Sequence, residues 1–178
     1  MRVLHSLALL LVLIAPAAFA DGSYQVELIL FRQIGEPAAT NQAAPENWAA
    51  EAQTLSAGNQ TTTGLDALVS KLQASDAYKV LLHRAWQQDI GAAPSKMAIS
   101  SGQEQFGHFP IEGTVSLSMA RFTDIDARFW VNQLDEHGVL VTSERMRQAT
   151  RVRNGELTYM DNGSLAMLIK VSPLQAPR

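Results

Sequence analysis

Apolar residues follow three different rhythms along this chain. Leu7 to Ala15 is aliphatic without interruption, yet shorter than the about 20 apolar residues that a bilayer span requires. With Met1-Arg2 before it and Ala18-Phe19-Ala20 after it, the segment has the three parts of a secretory signal peptide, and cleavage is expected after Ala20. The second rhythm is that of strands. Tyr24 to Phe31 is short, rich in β-branched and aromatic residues and nearly continuous in its apolar character, which predicts a strand covered on both faces. Tyr78 to Gln87 alternates, so Tyr78, Val80, Leu82, Arg84 and Trp86 are expected on one face and Lys79, Leu81, His83 and Ala85 on the other. The third rhythm is helical: Leu65, Leu68, Val69 and Leu72 recur at three- and four-residue spacing. They predict one amphipathic helix ending near Ser75, with Asp66 favourably placed in its first turn and Thr61 to Thr63 available as its cap.

Polar stretches separate these elements. Residues 33–64 read as a long irregular loop, because Pro37 and Pro45 exclude long regular structure. Trp48 interrupts its polarity, either as a plug holding the loop to a sheet or as an exposed contact. Residues 88–110, with Gly91, Pro94, Gly102, Gly107 and Pro110, read as a second polar connection. Beyond it, Ile111 to Arg121, Asp124 to Leu134 and Val139 to Arg153 have strand composition and are joined by connections of hairpin length. Asn154-Gly155 and Asn162-Gly163 supply positive-φ residues for tight turns, and Leu165 to Val171 is a last apolar strand. The predicted fold class is α+β: a strand-helix-strand opening unit followed by an antiparallel β-meander, with the helix packed on one face of the sheet. Residues 21–178 are expected to form a single domain with an ordinary apolar core.

Charge narrows the function. The net charge of -3 becomes -4 once residues 1–20, which hold one Arg and no acid, are removed. A mildly acidic domain has no electrostatic case for nucleic acid. The chain has no Cys, which rules out disulfides, a thiol nucleophile and a lipid anchor attached at a cysteine. There is neither a Gly-x-Ser-x-Gly elbow nor a Ser-x-x-Lys pair. His83, His108 and His137 lie on separate elements without the close spacing of a zinc site. Asp124 and Asp126 share a strand face and so could serve as paired acids of a glycosidase, although acids beside a turn are commonly a solvated edge. No cofactor and no metal are expected.

The densest chemical feature is Ser143 to Arg153, in which Arg145, Arg147, Arg151 and Arg153 share parity and would project from one face of an unbroken strand. Guanidinium groups grip carboxylates through paired bonds, which suits the carboxylates of peptidoglycan stem peptides. The same row could instead be a solvated edge that protects against aggregation, and a β-bulge would break its parity. Trp86 and Trp130 lie within strand patterns, either as core residues or as platforms for a saccharide or peptide. The candidate ligand-binding residues are Arg145, Arg147, Arg151, Arg153, Trp86, Glu156 and Tyr159.

Several segments in order resemble the CsiV family of periplasmic peptidoglycan-binding proteins. They are Tyr24 to Phe31 followed by Glu46-Asn47-Trp48, then Leu72 through Tyr78 to Gln87, then Arg121 to Trp130. The most specific are Arg145-Met-Arg147, Arg153 to Asp161 with its Glu-Leu-Thr-Tyr core, and Leu165 to Pro173. The departures are Asp124, Thr158 and Asn162 where the family pattern has His, and Gly163 where it has Pro. The resemblance implies a non-enzymatic periplasmic protein that binds peptidoglycan and assists cell-wall assembly, acting with the lipoprotein activator of a class A penicillin-binding protein. Two other readings are a periplasmic adaptor that receives a partner strand on an exposed sheet edge, and a wall hydrolase using Asp124 or Glu156.

Overall fold

The computed structural model describes residues 22–38 and 41–174, so the expected signal peptide lies outside the described residues. In chain order the elements are β1 (Gly22–Gln33), β2 (Gln53–Thr54), α1 (Asp66–Gln73), β3 (Tyr78–Ile90), β4 (Ser95–Ser101), β5 (Ile111–Met119), β6 (Thr123–Leu134), β7 (Leu140–Val152), β8 (Leu157–Asp161) and β9 (Leu165–Pro173). They form two sheets: a four-stranded one in the order β3-β1-β9-β8 and a five-stranded one in the order β2-β4-β5-β6-β7. Among the described strands only β2 pairs parallel, with β4. The described chain is thus mostly strand, with one short helix.

The long apolar run of β1 follows from its position. Val26, Leu28 and Leu30 face the second sheet and join Trp86, Ile99, Leu117, Phe129 and Met146 in the main core. Ile29 and Phe31 face the other way, and with Ala166 they receive Leu65, Leu68, Val69 and Leu72 of the helix segment. The four positions selected by helical spacing are therefore the ones that pack. Their cap differs from expectation. Leu65 is the N-cap and makes no side-chain capping bond, while Thr63 Oγ1 donates to the Asp66 carboxylate at 2.9 Å. The N–H groups of Gly64 and Leu65 donate instead to the buried Glu27 of β1, at 2.9 and 2.8 Å. A carboxylate from the sheet therefore holds the start of the helix, and no local sequence signal marks it.

Three expectations are corrected. The strands make two sheets rather than one: β4 to β7 form a meander of their own, and β8 and β9 return to the sheet of β1. Asn154-Gly155 consequently joins two sheets instead of closing a hairpin between neighbours, with the Gly155 N–H donating to Val171 O at 2.7 Å. Ser95–Ser101, read as connection, is a strand whose Met97 and Ile99 enter the core; the neighbouring Gly and Pro residues mask its alternation. On β3 the register shifts, so that Leu30 pairs with Leu82 and Phe31 with Val80. Leu81 is the extra residue of a bulge, which sends Val80 to the helix side and Leu82 and Trp86 to the core.

Candidate functional site

The outer face of the five-stranded sheet carries Arg128 and Trp130 of β6 and Arg145, Arg147 and Arg151 of β7. On β6, Ile125, Ala127 and Phe129 are core residues, so Asp124, Asp126, Arg128 and Trp130 point outward. The register sets Arg147 beside Arg128 and Arg145 beside Trp130, with Thr114 and Glu112 of β5 on the other side of Arg128 and Trp130. β7 pairs without interruption from Thr142 to Val152, so the predicted parity holds for Arg145, Arg147 and Arg151. Arg153 lies just beyond the strand.

Part of the long loop crosses this face as a strap. At one end the Gln42 N–H donates to Ser143 O at 2.9 Å, and Asn41 Oδ1 accepts from the Ser143 N–H at 3.0 Å. At the other, Lys96 Nζ donates to Ala50 O at 3.2 Å. In between, the Trp48 ring meets Phe109 edge-on at 6.3 Å. Trp48 is therefore a plug and also a wall, because it lines a hollow of about 370 Å³ with Lys96, Thr114, Asp126, Arg128 and Trp130. An adjoining hollow of about 300 Å³, lined by Gln42, Pro45, Arg128, Trp130, Arg145 and Arg147, shares Pro45, Arg128 and Trp130 with it.

The floor of this groove is built on a buried polar network. Glu112 is wholly buried. It accepts from the Phe109 N–H at 2.9 Å and Asn132 Nδ2 at 2.8 Å, and lies 2.8 Å from His108 Nδ1. Ser143 Oγ then donates to Asn132 Oδ1 at 2.6 Å. A buried carboxylate persists only when bonded in this way, and the bonds fix the loop that presents Phe109 to Trp48. Above the floor, Arg128 is forked onto Asp126, with Nε–Oδ1 at 3.2 Å and Nη2–Oδ2 at 3.1 Å. Trp130 is buried beneath the strap, and its Nε1 has no hydrogen-bond partner among the described residues.

The structure separates the residues proposed from sequence. Arg145 and Arg147 line the groove. Arg151, Arg153 and Glu156 surround a different, more open hollow of about 470 Å³ with Phe122. There Arg151 is bound to Asp124, and that hydrogen bond holds the Asp124 carboxyl below its ordinary value. An acid kept ionised is unsuited to protonate a leaving group, and Asp126 is likewise engaged by Arg128. Trp86 is a correction: it is wholly buried between the sheets, with Nε1 donating to Gln88 Oε1 at 2.9 Å, and has no surface to offer a ligand. Tyr159 stands on the outer face of the other sheet, 6.4 Å from the Phe31 ring. Burial first, and then the Asp161 hydrogen bond, push its hydroxyl up to about 12. It cannot act with Arg145 and Arg147. Arg128, Trp48 and Trp130 are among the groove residues absent from the sequence-derived set; the parity of β6 pointed to two of them, but only the β6–β7 register places them beside the arginines.

Of the histidines, His83 and His108 bond to the buried Glu27 and Glu112 at 2.7 and 2.8 Å. Among the described residues no group of His, Asp and Glu is arranged to hold a metal.

The two sheets enclose one core, and the outer face of the five-stranded sheet carries a strapped groove lined by arginines and indoles. The chain belongs to the CsiV family, described as "Peptidoglycan-binding protein, CsiV", whose model matches residues 4–65 and 55–174. Neither a curated protein nor a solved structure matches it. Membership of a peptidoglycan-binding family implies an extracytoplasmic location, and no helix among the described residues is long and apolar enough to cross a membrane.

Proposed function

We propose that the protein is a non-enzymatic periplasmic wall-binding module that grips peptidoglycan in the groove under the 41–52 strap. The observation that carries this reading is the register that lines up Arg128 with Arg147 and Trp130 with Arg145 beneath Trp48. The half-buried Trp48 indole supplies apolar area for a sugar ring or a peptide methyl, and the exposed Arg147 guanidinium, with Arg145 on the same face, supplies paired donors for a stem-peptide carboxylate, while Trp130 and the Asp126-bound Arg128 shape the floor. Arg151, Arg153 and Glu156, in the neighbouring hollow, extend the same face and form a secondary contact. In this reading the signal peptide delivers the domain to the periplasm, where it supports wall assembly with the lipoprotein activator of a class A penicillin-binding protein.

Sedimentation with purified sacculi tests the groove. The purified protein should pellet, and the Arg128→Ala/Arg145→Ala/Arg147→Ala variant should stay in the supernatant while retaining its circular dichroism spectrum. Pelleting of that variant at wild-type level would refute the groove, and failure of the wild type to pellet at low salt would refute direct wall binding. Release of soluble muropeptides would instead indicate a hydrolase. The partnership is tested separately, by association of the purified protein with the purified activator in the absence of sacculi.

A further inference from the structure

A second exposed feature has no role in the groove. Gln105 and His108 exchange backbone hydrogen bonds of 2.8 and 3.0 Å, and the two residues between them, Phe106 and Gly107, both have positive φ, 50° and 84°. That is the geometry of a type I′ turn, whose first central position normally takes Asn, Asp or Gly. Phe106 stands there strained and 81% exposed. Left-handed backbone disfavours a bulky residue and water disfavours an uncovered ring, so folding alone gives no reason for Phe at this tip.

A second turn packs beside it. Gly138 abuts Gln105 so closely that a Cβ on it would come within 2.6 Å of Gln105 Oε1, which brings the β6–β7 turn against the Phe106 turn. Together they frame an apolar hollow of about 300 Å³ lined by Phe106, Leu134, Val139 and Leu140. Val139 and Val141 are more than half exposed beside it. Glu104, Asp135 and Glu136 belong to the same two segments, and neither 102–110 nor 134–141 contains a Lys or Arg. Asp135 spends Oδ1 on the His137 and Val139 N–H groups, at 2.9 and 2.8 Å. His137 faces Glu136 at 3.5 Å, and His108 is turned to Glu112. The patch is therefore apolar at its centre and acidic at its rim.

We propose that the Phe106 turn and the Leu134–Val141 turn form a docking surface for a protein segment that presents an apolar side chain flanked by Lys or Arg. Phe106 and the hollow beside it take the apolar group, and the acidic rim selects the cationic flanks. The surface lies outside the arginine groove, so wall and partner can be held at once; the proposal does not rest on wall binding.

The test uses the purified protein with two fluorescein-labelled hexapeptides, one alternating Lys with Leu and one alternating Glu with Leu. The Lys-Leu peptide should bind saturably, shift amide resonances of Gln105 to His108 and Leu134 to Leu140, and weaken as salt rises. Phe106→Asn, which suits the turn, should weaken it at least tenfold, and Glu104→Lys/Glu136→Lys should do likewise, with sacculus sedimentation unchanged in both. Equal binding of the Glu-Leu peptide, shifts confined to other residues, or undiminished binding by Phe106→Asn would overturn the proposal. So would shifts at the patch that grow with protein concentration alone, which would assign it to a second copy, or co-sedimentation with anionic phosphatidylglycerol vesicles that Phe106→Asn abolishes.

Discussion

Arg151 clasps Asp124 through two hydrogen bonds, Nε–Oδ1 at 2.7 Å and Nη2–Oδ2 at 3.2 Å. The arginines that share parity on β7 are thus unequal. Arg151 must release a forked carboxylate before it can take another, whereas Arg147 is exposed and no acid among the described residues pairs with it. Sacculus retention should therefore fall about tenfold in Arg147→Ala, the loss expected for about 1.5 kcal/mol of charge-assisted bonding, and change little in Arg151→Ala. Equal losses in parallel salt titrations would contradict this division of labour.

The same clasp sets a pH expectation. Hydrogen bonding to Arg151 lowers the Asp124 pKa from its ordinary 3.8, and the bond to Asp124 raises that of Arg151. A carboxyl with a depressed folded pKa favours the folded pair above its ordinary value and loses that contribution as pH falls through the lowered one. From about pH 5 to 8, the clasp stays charged and closed. Sacculus binding should then show no step assignable to Asp124 in that window. Asp124→Asn should increase retention across it by freeing Arg151, and a mid-range step that vanishes in Asp124→Asn would refute the assignment.

Glu27 fastens the helix to the sheet by accepting from Gly64 N, Leu65 N and His83 Nε2 while only 5% exposed. Glu27→Ala orphans these donors at once. Urea unfolding should show a loss of about 3 kcal/mol, within the range for bonds to a buried charge, with α1 fraying first in amide exchange. Glu27→Gln should cost less, since one carbonyl oxygen still accepts. A change below about 1 kcal/mol in Glu27→Ala would mean that the apolar face of α1 holds it without the anchor.

Gly113 is the residue of β5 that lets β6 come close. A Cβ there would lie 2.4 Å from both Arg128 O and Phe129 Cδ1. The obstacle is backbone as well as ring, so relief requires β6 to move and carry Arg128 and Trp130 with it. Gly113→Ala should cost about 3 kcal/mol, at the upper end for overpacking, and should shift tryptophan fluorescence. Gly35, whose site has nothing within 4 Å but whose φ is +94°, should show only the smaller cost of backbone strain. Equal stability losses at the two positions would show that β5 and β6 yield more readily than their spacing suggests.

What the sequence disclosed, and what it withheld, divides along physical lines. Side-chain period is local, so the packing face of α1 and the outward set Arg145, Arg147 and Arg151 could be read directly from spacing. Sheet partnership is not local. Nothing in Leu157–Asp161 or Leu165–Pro173 says that they leave the meander and lie beside β1, and the separation of Tyr159 from the arginines follows from that return. Trp86 and Trp130 show the same limit: both sit in alternating strands, yet one points between the sheets and the other beneath the strap. The bulge at Leu81 hid from the alternation rule because Leu81 and Leu82 are both apolar and either could have faced the core. The capping carboxylate of Glu27 lies too far along the chain from Leu65 for a capping motif to reveal it.

Phe106 offers the sharpest contrast between stability and use. At φ 50° and 81% exposure, it carries a left-handed backbone that costs a bulky residue roughly 1 kcal/mol, and its ring gains no burial in return. Asn tolerates that conformation and is favoured at the first central position of a type I′ turn. Phe106→Asn should therefore raise stability by about 0.5 to 1 kcal/mol, seen as a higher urea midpoint at unchanged m-value. Phe106→Ala should gain less, because it relieves exposure but lacks the short polar side chain through which Asn hydrogen-bonds the local backbone in the left-handed region. The gain in Asn should coincide with loss of the Lys-Leu peptide. A less stable Phe106→Asn would mean that the ring packs on Val139 and Leu140 strongly enough to explain its own position, leaving the strain without a functional motive.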